Sequence, residues 1–268
     1  MKRAYLALAI LIVARAMGAQ QAGSSDELVA TPNRPTVTNT ADTTQRGVLE
    51  IEDGIAAGGT LQELQGLLKF GATRDLELRL GNNTFQHDAS VHSTGVGDTT
   101  LGAKYRFLHQ TARVPVMSVA YTAKVPTASD DLGSGQVDHQ LSFLAGKDFG
   151  ESRFDFNFNA NWFGRVGGGF DHDFMPTLSW SYQLPGRARK FQIEAELFGE
   201  SSPNAAQGGS ISHLYAIAYT PRRRLVLDIG GQFGLMGPVP TATFVAGFTY
   251  SIIDLYRMAH RHSERGNQ

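Results

Sequence analysis

The sequence predicts an all-β chain closed on itself, a transmembrane antiparallel up-and-down β-barrel of about twelve strands. Three observations carry that expectation. Apolar and polar residues alternate with a period of two over most of the chain, the connections between alternating segments sort by turns into short and long ones, and an export leader precedes them. Composition is compatible and narrows the field. With 24 basic and 25 acidic residues, nothing is basic enough for electrostatic nucleic-acid binding. The absence of cysteine excludes a disulfide scaffold, thiolate metal sites and thiol catalysis. A mean hydropathy of −0.20, with a single continuous apolar run, excludes a multi-helix membrane protein.

That apolar run belongs to the leader. Met1-Lys2-Arg3 is a positive n-region, Ala4 to Val13 a short apolar core, and the small residues before Ala16 and Ala19 offer cleavage sites. The core is too short to span a bilayer as a retained helical anchor. Residues 1–19 are therefore expected to be a cleaved signal peptide, cut after Ala19 with Ala16 as the second choice. Its removal takes Lys2, Arg3 and Arg15 and leaves the exported chain mildly acidic. Residues 20–46 follow, polar and without apolar period, holding Pro32, Pro35 and the Thr-rich stretch Thr36 to Thr40. An extended segment is expected there, hanging in the periplasm or entering the lumen as a plug.

From Gly47 the texture changes to alternation. It is clearest in Arg153 to Trp162, where Phe154, Phe156 and Phe158 interleave with Asp155, Asn157 and Asn159. Successive strand side chains point to opposite faces, so one face is an aromatic wall and the other is polar. Leu76, Leu78 and Leu80 stand against Glu77 and Arg79 in the same way, and Phe191, Ile193 and Leu197 against Gln192, Glu194 and Glu196. Twelve strands are predicted near 47–54, 60–70, 75–82, 96–108, 114–125, 136–148, 153–164, 174–183, 190–200, 210–220, 224–234 and 241–251. The period blurs in the first, eighth and tenth, where Asp53, Pro176 and the run His213 to Tyr219 interrupt it.

The connections alternate between turns such as Gly71 to Arg74, His109 to Arg113 and Phe149 to Ser152, and a mostly longer set. The longer set includes Asn83 to Thr94, Pro126 to Gly135, Arg165 to Asp173 and Ser201 to Gly209. Short periplasmic turns and longer external loops are the outer-membrane arrangement, and an even strand count returns both termini to the periplasm. A soluble lipocalin-like barrel would point its apolar side chains inward, but closing twelve strands leaves a lumen that an apolar interior fills poorly. A two-sheet sandwich would bury an apolar face without such uniformly long strands. Aromatics at strand ends, among them Phe70, Trp162, Trp180 and Tyr250, suit interfacial girdles.

Several ordered stretches carry a family likeness: Arg34 to Asn39 leading into Gly47 to Glu52, Gly71 to Gly81, Gly95 to Arg106, and Ala123 to Thr127 followed by Leu132 to Gly135. Together they resemble the transporter-like outer-membrane family labelled "putative MetA-pathway of phenol degradation", over roughly residues 30 to 251. The resemblance implies one barrel in the outer membrane of a Gram-negative bacterium that passes small, aromatic or apolar, compounds. Such a barrel has outer-membrane lipid, lipopolysaccharide, the barrel assembly machinery and a small-molecule solute as partners. The end of the chain departs from the pattern, because such barrels commonly finish on an aromatic. Here residues 252–268 continue as a basic tail with Arg257, Arg261 and Arg265, and Phe248 or Tyr250 stands in as the assembly signal.

The alternation assigns an inward set of Glu77, Arg79, Lys104, Arg106, Thr122, Lys124, Asp138, Gln140, Asp155, Asn157, Asn159, Glu194, Glu196, Asp228 and Gln232. Two readings are weighed evenly: a polar lumen that orients a solute, or basic residues that pair with neighbouring carboxylates and close it. For catalysis, His139 and Ser142 lie three apart in one strand and point to opposite faces, so they form no nucleophile and base. His87, Asp88 and His92 fall in the longest expected loop, and Asp130-Asp131 and Asp171-His172-Asp173 in others, where solvated loops are the plainer reading over metal ligation. Arg222-Arg223-Arg224 reads as a periplasmic anchor. The sequence thus predicts no enzyme, no metal and no cofactor. Its alternatives are a closed structural or adhesive barrel and a lipid-acting outer-membrane enzyme.

Overall fold

The computed structural model describes residues 27–202 and 208–259; the expected leader and most of the basic tail lie outside them. One antiparallel sheet holds all thirteen strands. In chain order they are β1 (Val48–Gly58), β2 (Leu61–Gly71), β3 (Leu76–Asp88), β4 (Ser93–Gly95), β5 (Thr99–Leu108), β6 (Val116–Val125), β7 (Asp138–Phe149), β8 (Ser152–Gly164), β9 (Phe170–Gln183), β10 (Phe191–Glu200), β11 (Ser210–Arg222), β12 (Leu225–Met236) and β13 (Ala242–Asp254). Each pairs with its sequence neighbours, except that β3 pairs with both β4 and β5, and β13 returns to β1 from Val48 opposite Asp254 to Gly58 opposite Thr243, with one bulge between Leu49 and Glu50. The ring therefore closes with twelve strands, and β4 is a three-residue flap outside it. Closure gives every stave of the ring a neighbour on both sides, which a strand in hydrocarbon requires.

The twelve staves run 10 to 14 residues, enough to cross a bilayer when tilted. Their side chains sort as the alternation demands. On β8, Phe154, Phe156 and Phe158 are about two-fifths exposed, whereas Asp155, Asn157 and Asn159 are buried. Leucines and aromatics are exposed in the same way around the ring, from Leu78 and Leu101 to Ile229 and Phe244. Glu50, Lys69, Glu77 and Lys104 have no exposed surface at all. Burial and polarity are thus inverted relative to a soluble protein, so the solvent of the outer wall is apolar. A few inward positions are apolar, notably Val116 and Leu144 packed on Ala41, and Leu214 with Ala216 and Val245.

Three strands extend furthest beyond the sequence reading, all at the long-loop end. β1 continues to Gly58, which converts the expected loop over 55–59 into strand. β3 continues to Asp88 and hairpins back into β4, so His87 and Asp88 are strand residues and only residues 89–92 turn. β9 starts at Phe170, which places Asp171, His172 and Asp173 in a strand with Asp173 buried. Beyond the bilayer both faces of a strand meet water, so the apolar alternation that marks a strand fades before the pairing does. The longest described connection is residues 126–137, not 83–94. It folds over the β3–β4 hairpin through Ser129 and Val96, which exchange N–H and carbonyl at 2.9 Å and N–H and hydroxyl at 3.0 Å.

Pro176 sits inside β9 opposite Phe158 of β8, and pairing of β9 with β10 begins at the next residue, Thr177. A proline has no N–H to give a second neighbour, so the ladder on that side stops where the period blurs. At the other end β13 runs on to Asp254 and residues 255–259 are helical. Tyr256 anchors this turn, donating its hydroxyl to the Ala72 carbonyl at 2.8 Å and meeting Phe70 edge-on. Gly47, with φ of +80°, starts the barrel beside it; a Cβ there would lie 2.6 Å from the Asp254 carboxylate.

Candidate functional site

The lumen is the only place where the polar faces of all twelve staves converge, and the segment before β1 occupies it. Residues 27–46 carry few apolar side chains, so the groups they offer are backbone N–H and carbonyls, and these must find partners once removed from water. The inward carboxylates and ammoniums supply them. Entering at the short-turn end, Ala30 donates its N–H to the Arg223 carbonyl at 2.8 Å. Thr31 and Asn33 donate theirs to Glu50 and Glu52 of β1 at 3.0 and 2.8 Å. Lys69 of β2 binds both carboxylates, at 2.6 and 2.5 Å, and the Thr31 carbonyl as well.

The chain then crosses the lumen. Val37 and Thr38 give their N–H groups to Glu196 of β10, and the Thr38 hydroxyl reaches Thr177 of β9 at 2.7 Å. Asn39 exchanges a pair of hydrogen bonds with the Asn157 amide of β8, at 2.7 and 2.9 Å. On the way back, Lys104 of β5 donates to the carbonyls of Thr40 and Asp42. Thr44 donates its N–H and hydroxyl to Glu77 of β3 at 2.7 and 3.0 Å. Glu77 also holds Arg79 at 2.6 Å and Lys104 at 3.5 Å, while Arg79 reaches the Asn39 side chain. Arg106 pairs with Asp42 and Asp75, and Arg153 with Asp42, Asp148 and Asp155.

Of the residues singled out from sequence, Glu77, Arg79, Lys104, Arg106, Asp155, Asn157 and Glu196 gather around this segment, directly or through an ion pair. Asp228 of β12 meets Arg34 at 3.4 Å. Lys124 and Asp138 do not join them: they pair at 2.6 Å near the long-loop end, with Asp98 on the other side of Lys124 at 3.0 Å. Asn159 is turned to the Met175 carbonyl, while Glu194 and Gln232 border two cavities. Sequence reasoning left Glu50, Glu52, Lys69, Arg153 and Arg34 off the candidate set. Glu50 and Glu52 were within reach, since Leu49 and Ile51 alternate with them; Lys69 follows Leu67 and Leu68 and shows no period.

Two cavities flank the apex of the segment. The larger, about 380 Å³, lies toward the short turns and is bordered by Asp155, Glu194, Ala218, Thr220 and Arg223. The smaller, about 270 Å³, is bordered by Ala56, Gln65, Gln232, Thr243 and Val245. Asn33, Arg34 and Thr36 border both, so they form the septum between them. His139 stands outside, where it bonds the Tyr121 hydroxyl at 2.7 Å, while Ser142 is buried inward. Among the described residues no three His, Asp or Glu side chains converge as a metal site would require.

Solved structures share this architecture. The COG4313 outer membrane channel from Pseudomonas putida F1 superposes with a TM-score of 0.63 at 13% identity, covering 86% of this chain and all of that one. The KdgM porin and the NanC porin each give 0.55 at 10% identity over 76% of this chain, covering 99% and 100% of theirs. At such identities the likeness is one of fold. A comparison with curated proteins by sequence returned no match. A family model matches residues 32–252, from the luminal segment to the last strand, and the chain belongs to the family described as "Putative MetA-pathway of phenol degradation".

Proposed function

We propose that this chain is an outer-membrane channel through which small compounds, aromatic or apolar ones in particular, diffuse down their own gradient. The observation that carries the reading is the combination of an apolar outer wall with a closed ring whose polar lumen keeps two cavities beside the segment. Diffusion needs neither nucleotide nor catalytic group, and the reading assigns none. In this reading residues 1–19 are a cleaved leader, residues 27–46 a luminal plug, and the short-turn end faces the periplasm. Outer-membrane lipid and lipopolysaccharide surround the aromatic wall, and the assembly machinery inserts it. The dense bonding of residues 30–44 to the wall makes the resting pore narrow, so a solute passes beside the plug or after displacing it.

Conductance of the refolded exported chain in a planar bilayer tests this. Discrete current steps are expected. A barrel verified by heat-modifiable gel migration that carries no current in any voltage range would overturn the channel in favour of a closed structural barrel.

A further inference from the structure

Resting on the channel reading, we propose that the route past the plug follows the wall formed by β10–β13 and selects small cations over anions. Glu194 and Asp228 are the selecting residues, and Arg34 is the counter-charge at the narrowest point.

Charge is segregated around the lumen. The inward cations Lys69, Arg79, Lys104, Arg106 and Arg153 all come from β2 to β8, and each is held by carboxylates or carbonyls of the wall and the segment. From β9 to β13 the strands carry no Lys or Arg except Arg222 at the short-turn edge, yet they bring Glu194, Glu196 and Asp228 inward. Glu196 is occupied by the N–H groups of Val37 and Thr38. Glu194 makes no hydrogen bond or ion pair among the described residues and faces the larger cavity.

The same wall is where space remains. Glu194 lies opposite Ala216, Ala216 opposite Gly230, and Asp228 between Ala218 and Gly247. The two carboxylates are thus separated by side chains no larger than a methyl group. Between the cavities stands Arg34, 3.4 Å from both Asp228 and Gln65. Its Nε and the Asp228 Oδ2 are buried without a partner. Its guanidinium is seated against bare backbone, since a Cβ on Gly54 or Gly247 would come within 2.4 or 2.5 Å of it. Such a loosely bonded pair is cheaper to open than the short bonds of Lys69, because unsatisfied atoms gain partners when water enters.

The other two cations at the larger cavity are already matched, Arg153 by Asp42, Asp148 and Asp155 and Arg223 by Glu27, so Arg34 alone stands against Glu194, Glu196 and Asp228 and this wall is net negative. In a narrow lumen with low-dielectric walls, unpaired carboxylates concentrate cations and repel anions by several kT, as charged rings do in other pores. The reversal potential of the refolded exported chain under a potassium chloride gradient at alkaline pH, where the luminal carboxyls are ionised, reads this directly. Cation preference is expected, falling by about twofold or more in Glu194→Gln and further in Glu194→Gln/Asp228→Asn. Arg34→Gln is expected to raise conductance and keep the preference. Glu194 bonds nothing among the described residues, so its variant decides the matter if the Asp228 variant fails to assemble. Current with anion preference, or a preference that Glu194→Gln leaves unchanged, overturns the inference while the channel stands. Silence in every variant with a verified barrel overturns the channel itself and the inference with it.

Discussion

Lys69 has no exposed surface and faces two carboxylates that are equally enclosed, Glu50 and Glu52, each of which also accepts an N–H of the segment. The triad therefore locks the segment to β1 and β2 at once. Breaking a buried ion pair by removing one partner costs about 3–5 kcal/mol, because the remaining charge keeps its desolvation without compensation. Lys69→Met is expected to lower the unfolding free energy by about that much, read from denaturant titration in lipid; a variant as stable as the parent would show that water already reaches the site. Asp98 acts at the external cap. Burial would push its carboxyl up, but the backbone N–H groups of Ala128 and Thr127 and the Lys124 ammonium hold it below the ordinary aspartate range. A group depressed on folding stabilises above its unfolded pKa, near 3.9, and loses that contribution as pH falls through the lower folded value. The loop over residues 126–137 should thus resist protease unchanged between neutral and mildly acid pH. Asp98→Asn should expose it already at neutral pH, and equal cleavage of both forms would count against the clasp.

At the scale of elements, the alternation that reveals the strands is also what makes them tolerant on one face and demanding on the other. Phe156 is at the middle of β8 and points out, whereas its neighbours Asp155 and Asn157 point in. Arginine on a lipid-facing midplane position costs about 2–4 kcal/mol, so Phe156→Arg should destabilise by that amount in bilayers and by much less in short-chain detergent; parity in both solvents would mean that β8 does not face lipid. The same logic explains what could be read in advance. Strand identity was legible from Arg153 to Trp162 because lipid and lumen impose opposite polarity on adjacent residues. The extensions of β1 to Gly58, β3 to Asp88 and the start of β9 at Phe170 were not, since above the membrane both faces meet water. The site was half legible: Glu77, Lys104, Asn157 and Glu196 stood on the polar faces, but the partners that fix their role lie in residues 30–44, where no period exists. An N–H that bonds a distant carboxylate leaves no mark in a local pattern.

For the molecule as a whole, the ring and the segment inside it are separable in bonding. Ring closure rests on ladders, with β1 paired to β13 from Val48 to Gly58 and to β2 from Leu49 to Gly58. The segment adds to these ladders a single bridge, Arg46 opposite Gly71. Beyond that bridge it contributes the Ala30–Arg223 backbone bond, the packing of Ala41 on Val116 and Leu144, and hydrogen bonds and ion pairs to inward side chains, several of which keep partners without it. Lys69 retains Glu50 and Glu52, and Glu77 retains Arg79 and Lys104. Once the lumen is emptied, water reaches the vacated groups of Glu196 and Asn157 and replaces the lost donors at a modest net cost per bond, about 0.5–1.5 kcal/mol. Removal of residues 27–46 is therefore expected to leave heat-modifiable migration intact, to lower the thermal midpoint, and to raise single-channel conductance several-fold, because the septum of Asn33, Arg34 and Thr36 goes with it. Loss of the migration shift would mean that the segment templates the ring during folding. An intact barrel with unchanged conductance would place the constriction in the external cap formed by residues 126–137, and the plug reading would fall.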